Sequence, residues 1–224
     1  PTSSERLMSQ TFSFFARPIE SSDFPYDFRA HLYDLLDDGG LSPDLLVVAH
    51  GAKPVNAPTV SDDTADALEQ VFQVDVLGAF HLCQAVGRRM LETQQGSIVL
   101  ISSLHAHQTY PARIPYVVAK TAMCGLARGL AVDWGRQGIR TNVILPWQVA
   151  GARTQALVNA AREFGEDLTE AYLQKSPLRR LVEPAEIADA VVWLERSPSA
   201  NGMEVVLDGG VSQSMWYKPF LGET

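Results

Sequence analysis

The stretch from Gly96 to Leu145 constrains the fold of this chain more than any other. Gly96-Ser-Ile-Val-Leu-Ile-Ser-Ser103 is a short, β-branched apolar run that ends in two serines, the pattern of a strand. Tyr116 to Gln137 then carries apolar residues at helical spacing, and Arg140 to Leu145 is a second strand. Strand, helix and strand in that order give the β-α-β alternation of a parallel sheet. Upstream, Ser42-Pro-Asp44 reads as a turn into the strand Leu45 to Ala49, and Ser61-Asp-Asp-Thr64 as the start signal of a helix whose amphipathic body runs from about Ala67 to Thr93. Downstream, Ala150 to Arg180 is helical and polar, Pro184 opens a helix to Arg196, and Glu204 to Leu207 closes the sheet. In the first forty residues, Thr11 to Ala16 reads as a strand and Pro25 to Asp38 as a helix stopped by Gly39-Gly40. Without an internal repeat, linker or low-complexity segment, one α/β domain over residues 1–224 is expected.

Composition narrows the functional classes. With 224 residues and 46% hydrophobic content, the chain can bury one sizeable core. A net charge of −8 and a pI near 5.1 argue against a nucleic-acid or anionic-membrane partner. No apolar run reaches membrane-spanning length and no charged-then-apolar leader opens the chain, so a cytoplasmic location is expected. Cys83 and Cys124 lie among apolar neighbours in predicted helices, the setting of buried free thiols in a reducing compartment. The histidines, at positions 31, 50, 81, 105 and 107, lack zinc-like spacing, and no metal site is expected.

Chemistry enters with three residues. Tyr116 and Lys120 are four apart and share one helix face, and Ser103 sits at a strand's carboxyl end, where open α/β sheets place their sites. A lysine ammonium beside a phenol favours the phenolate, and a serine hydroxyl can hold the substrate oxygen to or from which the proton moves. Spacing alone is weak evidence, because in a chain with six tyrosines an exposed helix pair gives the same pattern by chance.

Context supplies the rest. From about Pro43 to Gly210 the chain resembles the short-chain dehydrogenase/reductase family. The resemblance is carried by Ser103, Tyr116 and Lys120, the helix text Ala119-Lys-Thr-Ala-Met-Cys-Gly-Leu-Ala-Arg-Gly-Leu-Ala131, the strand Gly138-Ile-Arg-Thr-Asn-Val-Ile144, Glu183-Pro-Ala-Glu-Ile-Ala188 and the ending Asn201-Gly-Met-Glu-Val-Val-Leu-Asp-Gly-Gly210. It implies a Rossmann-like, doubly wound parallel sheet with a substrate lid at residues 150–180, and an enzyme that moves a hydride between NAD or NADP and a secondary alcohol or ketone. In that reading Tyr116 is the general acid/base, Lys120 favours its phenolate and binds the nicotinamide ribose, and Ser103 orients the carbonyl oxygen. Asp75 stands where the family has the asparagine of a water-mediated proton relay; a carboxylate there would also pair with Lys120 and compete for its charge. Ile19, Ala49, His50, Gly51, Pro146, Trp147 and Val149 fall at the family's cofactor positions. The family often tetramerises through the helices flanking Tyr116 and through its carboxyl end, where this chain carries Trp216, Tyr217 and Phe220, so a homo-oligomer is expected.

The departures cluster on the cofactor side. Val48-Ala-His-Gly51 replaces Asn-Asn-Ala-Gly, Pro146-Trp147 replaces Pro-Gly, and Gly151 stands for a threonine. Trp147 would crowd the nicotinamide or stack on a substrate, and His105 and His107 would either line the substrate mouth or lie in a solvated loop. The Gly-rich turn that receives a pyrophosphate is not present, and if Thr11 to Ile19 is the family's third strand, the first β-α-β segment is absent. Either a leading segment belongs in front of Pro1, or Thr11 to Ala16 takes the central place, or a partner completes the sheet. Cofactor binding by the chain alone is then expected to be weak. Two alternatives to the redox reading stay open: a cofactor-poor pseudo-subunit paired with a complete relative, and a non-redox elimination enzyme on the same scaffold. Leu157, Val158, Leu168 and Leu173 in the lid hint at an apolar or aromatic substrate.

Overall fold

The computed structural model describes residues 36–37, 40, 42–52, 62–163, 165 and 167–214. The expected strand Thr11 to Ala16, Ile19, all but two residues of the expected helix Pro25 to Asp38, and the aromatic tail lie outside the described residues.

Among the described residues four strands, β1 (Leu45–Val48), β2 (Gly96–Ile101), β3 (Ile139–Pro146) and β4 (Glu204–Leu207), form one sheet in the order β1-β2-β3-β4 with every pairing parallel. Between them run the helices α1 (Asp62–Val71), α2 (Gly78–Thr93), α3 (Ile114–Trp134), α4 (Ala152–Arg162), α5 (Leu168–Lys175) and α6 (Pro184–Arg196). The alternation of side chains along a strand explains the layers. Ile98, Leu100, Val143 and Leu145 pack with Leu82, Val86 and Met90 of α2 and with Met123 and Ala127 of α3. Val99 and Ile144, one residue out of phase, pack with Val191 and Leu194 of α6 on the opposite face. Strands covered on both faces read as continuous apolar runs, and each fully buried Leu or Ile contributes about 1.5–3 kcal/mol. This is the Rossmann-like, doubly wound architecture expected from the sequence.

Two helices differ from the sequence expectation. The helix whose start signal reads at Ser61 to Thr64 does begin at Asp62, but its body is interrupted by a π-helical segment, Phe72–Leu77, where the Gly78 N–H bonds Gln73 O five residues back. The wider turn directs Val74 and Asp75 into the interior. Helix α3 begins at Ile114 rather than Tyr116, with Pro115 in its first turn, where a missing N–H costs no helical bond.

Several residues of the family-like text turn out to be ties between elements. The Asn142 side chain donates to Ala200 O and accepts from the Met203 N–H, and Asn201 bridges the Thr141 N–H and Ala131 O. The Arg140 guanidinium binds the carbonyls of Leu194, Glu195 and Ala200, satisfying the carboxyl end of α6. Gly138 adopts φ +80° at the entry to β3, and a Cβ there would lie 2.3 Å from Gln94 O, so a side chain is barred. Among the described residues no helix is long and apolar enough to cross a membrane.

Candidate active site

The carboxyl ends of β1, β2 and β3 converge on one side of the sheet, and the sequence-derived site residues collect there. Ser102 and Ser103 leave β2. Ser102 Oγ donates to Lys120 O at 2.8 Å, fastening the strand end to α3. Ser103 is buried and extended, and its Oγ accepts the His105 N–H at 3.2 Å, capping the short turn Leu104–Ala106. That bond uses a lone pair and leaves the hydroxyl proton free to be donated.

Tyr116 and Lys120 occupy successive turns of α3, with the lysine Nζ 5.5 Å from the centre of the tyrosine ring. Lys120 is 3% exposed and Asp75 0%, and Nζ lies 2.8 Å from Asp75 Oδ2. Two unlike charges can share so dry a place only by neutralising each other. Asp75 Oδ1 accepts the Ala52 N–H at 2.6 Å, while Oδ2, beyond the ion pair, has no hydrogen-bond partner among the described residues. The carboxylate therefore does pair with the lysine, and it is the π turn of the preceding helix that brings it there.

Gly51 covers this pair. A Cβ on it would sit 3.4 Å from Lys120 Nζ and 3.6 Å from both Asp75 oxygens, so the glycine brings its backbone close over the buried pair. His50, beside it, lies with Nε2 2.8 Å from Val74 O; a carbonyl only accepts, so Nε2 carries the proton. Burial holds the His50 pKa below the ordinary histidine value. Ala49 is exposed at the end of β1, and Pro146 is buried at the end of β3. Val149 is half-buried in a parallel bridge to Val182, its carbonyl taking the Thr154 hydroxyl at 2.6 Å.

Trp147 is the residue the structure places most informatively. It stacks on His105, with ring centres 6.1 Å apart and 26° between planes, and meets Tyr110 and Tyr172 edge to face at 6.4 and 6.5 Å. His105 in turn contacts Tyr110 at 4.6 Å and Tyr116 at 5.4 Å. These five rings form a continuous aromatic wall beside Tyr116. Burial, reinforced by the Arg113 charge, lowers the His105 pKa to about 4, so its ring is neutral near pH 7. His107 takes no part, since it pairs with Glu204, which also holds Arg128. Of the lid residues named from sequence, Val158 is buried and Leu157, Leu168 and Leu173 half-buried. Sequence reasoning missed Tyr110, Tyr172, Arg113, Arg153 and Lys175; their one local signal is membership of the loop and lid that bracket Ser103 and Tyr116.

Asp75 Oδ2 with a spare lone pair, Lys120 with an N–H to spare and an open glycine between them suit a vicinal diol, as a ribose presents. The residues thus fit the nicotinamide end of a dinucleotide.

Comparison with known proteins agrees with this geometry. A family model described as Enoyl-(Acyl carrier protein) reductase matches residues 31–212. The chain is 31% identical over 195 residues to the 2-keto-3-deoxy-L-fuconate dehydrogenase of Xanthomonas campestris, covering 81% of this chain and 63% of that protein. It is 31% identical over 149 residues to the gluconate 5-dehydrogenase of Gluconobacter oxydans, covering 66% and 56%. The chain therefore spans about three fifths of the length of these curated relatives. Among solved structures, the gluconate 5-dehydrogenase of Burkholderia cenocepacia, in complex with NADP and tartrate, superposes with a TM-score of 0.73 at 27% identity, over 84% of this chain and 71% of that one. The acetoin dehydrogenase of Enterobacter cloacae gives 0.72 at 28% identity, over 92% and 76%. The sequence resemblance is borne out: the chain belongs to the short-chain dehydrogenase/reductase family.

Proposed function

We propose that this chain works as an NAD- or NADP-dependent oxidoreductase that interconverts a secondary alcohol and a ketone. One observation carries the reading. The Tyr116 ring lies 5.5 Å from the Nζ of a buried lysine whose charge is balanced by Asp75, and Ser103, whose hydroxyl proton has no acceptor among the described residues, follows the strand end that Ser102 fastens to the same helix. The dehydrogenase names of the relatives support the redox class.

A bound nicotinamide cofactor supplies the hydride acceptor or donor. Gly51, Lys120 and Asp75 would hold its ribose, with Ala49, His50, Pro146 and Val149 bordering the same cleft. Ile19 is a candidate outside the described residues. Ser103 donates its free proton to the substrate oxygen and so fixes the carbon it bears. Tyr116 takes the hydroxyl proton during oxidation and returns one during reduction, with the Lys120 Nζ 5.5 Å from its ring centre. Asp75 pairs with the lysine in its buried place. Trp147 and His105 keep water from that face of the substrate.

The test is Tyr116→Phe, which deletes the transferable proton and little else. Nicotinamide reduction across a panel of secondary alcohols should fall at least about a hundredfold, with the unfolding midpoint unchanged. Retention of more than about a tenth of the rate removes Tyr116 from the acid/base role.

A further inference from the structure

Cations gather on the aromatic wall of an otherwise acidic chain. The Arg113 guanidinium carbon lies 5.3 Å from the centre of the Tyr110 ring, and Lys175 Nζ of α5 lies at 5.3 Å from the same ring. The Arg153 guanidinium of α4 lies 5.9 Å from the centre of the Tyr116 ring and donates one N–H to Ala52 O at 3.0 Å. Whereas the whole chain carries −8, the bracket around Tyr116 is positive.

The two guanidinium charges are not answered locally among the described residues. Among the described residues neither Arg113 nor Arg153 has an ion-pair partner. The nearby strand-end carboxylates are engaged elsewhere, Asp75 by Lys120 and the Ala52 N–H, and Asp208 by the N–H groups of Gly210 and Ser212. Arg153 spends one of its five donors on Ala52 O and keeps the rest of the fork. A second, independent observation comes from Trp147, whose Nε1 is buried within the same wall and has no acceptor among the described residues. A buried indole N–H left unpaired is costly, so an acceptor from outside is expected there.

We propose that the substrate of this site is an anion, a hydroxy acid or its keto form, whose carboxylate is held by Arg113, Arg153 and Lys175 and whose oxygens accept from Trp147 Nε1, while the carbinol carbon faces Ser103 and Tyr116. This rests on the redox reading for the fate of the carbinol, but not for the binding of the carboxylate. Guanidinium groups take carboxylates bidentately. The wall also accepts the apolar part of a longer acid.

The test separates charge from chemistry. Binding to the whole chain is measured by calorimetry for matched pairs, gluconate against glucitol and 3-hydroxybutyrate against 2-butanol, and oxidation is followed with NAD and NADP. The expected result is at least tenfold tighter binding of one acid than of its neutral partner, with that ratio falling at least tenfold in Arg113→Gln. Trp147→Phe, which keeps the ring and deletes the N–H, should weaken the acid and spare its neutral partner. Equal binding of both members of each pair, or no binding of any, overturns the inference. An acid that binds selectively yet is never oxidised leaves this inference standing and removes the redox reading. The other source of an anion is the cofactor pyrophosphate: if Arg113→Gln and Arg153→Gln weaken NADP binding and leave the acid ratio unchanged, the cations belong to the cofactor and the inference falls.

Discussion

Replacing Asp75 by asparagine perturbs the centre of this site with almost no change of shape. The amide oxygen still accepts the Ala52 N–H, so what is lost is one negative charge at a place 0% exposed, 2.8 Å from an ammonium itself 3% exposed. The further acceptor that Lys120 Nζ meets among the described residues is Met123 Sδ at 3.7 Å, too weak to replace a carboxylate. Stranding one member of a buried pair costs about 3–5 kcal/mol, and the retained Ala52 hydrogen bond puts Asp75→Asn near the lower figure. Lys120→Met strands the carboxylate instead and costs a similar amount. In the combined variant no charge is left in the dry interior, and the loss should be no greater than for either single change. The coupling energy is then at least about 2 kcal/mol. Urea unfolding followed by tryptophan fluorescence measures all four corners of the cycle, with an unchanged slope confirming that the unfolding unit is the same. Losses that add to within about 0.5 kcal/mol would refute the reasoning, because they would mean the charges are solvated in the folded protein.

Three further outcomes are expected. Gly51→Ala puts its Cβ at ordinary contact distance from Lys120 and Asp75, so stability should change by less than about 1 kcal/mol while NAD or NADP affinity by calorimetry falls at least tenfold; unchanged affinity would place the ribose elsewhere. The His105 pKa of about 4 lies below its unfolded value near 6.5, so the unfolded chain binds the extra proton, and stability should fall as pH drops from about 6.5 to 4 and level off below. The full shift is worth about 3 kcal/mol, reduced to about 1–2 by solvent screening at the open side of the cleft, and a flat profile in that window, or one unaltered in His105→Phe, refutes it. Phe80 of α2 and Ile114, Val118 and Val132 of α3 are 43%, 41%, 41% and 79% exposed, and we expect them to be covered in a homo-oligomer, a tetramer by preference. Light scattering that shows a monomer at micromolar concentration contradicts this.

What the sequence determined on its own was everything local periodicity governs. The β-α-β order, the parallel sheet and the shared helix face of Tyr116 and Lys120 follow from strand alternation and the 3.6-residue turn, and the structure holds them within a few residues of the expected bounds. Gly51 and Ser103 were legible for a related reason, each lying at or just past the end of a recognisable strand. The tertiary structure alone decided which distant groups meet. A period-based reading carries Asp75 along a regular α-helix, and only the π segment at Phe72–Leu77 turns it onto Lys120. Trp147, read as crowding the nicotinamide or stacking on a substrate, stacks with His105, while His107, two residues beyond His105, pairs with Glu204. Tyr110, Tyr172, Arg113, Arg153 and Lys175 come from a loop and two lid helices, and no spacing rule links them. Such contacts depend on how the lid packs over the sheet ends, a free energy summed over the whole fold rather than written in any one segment.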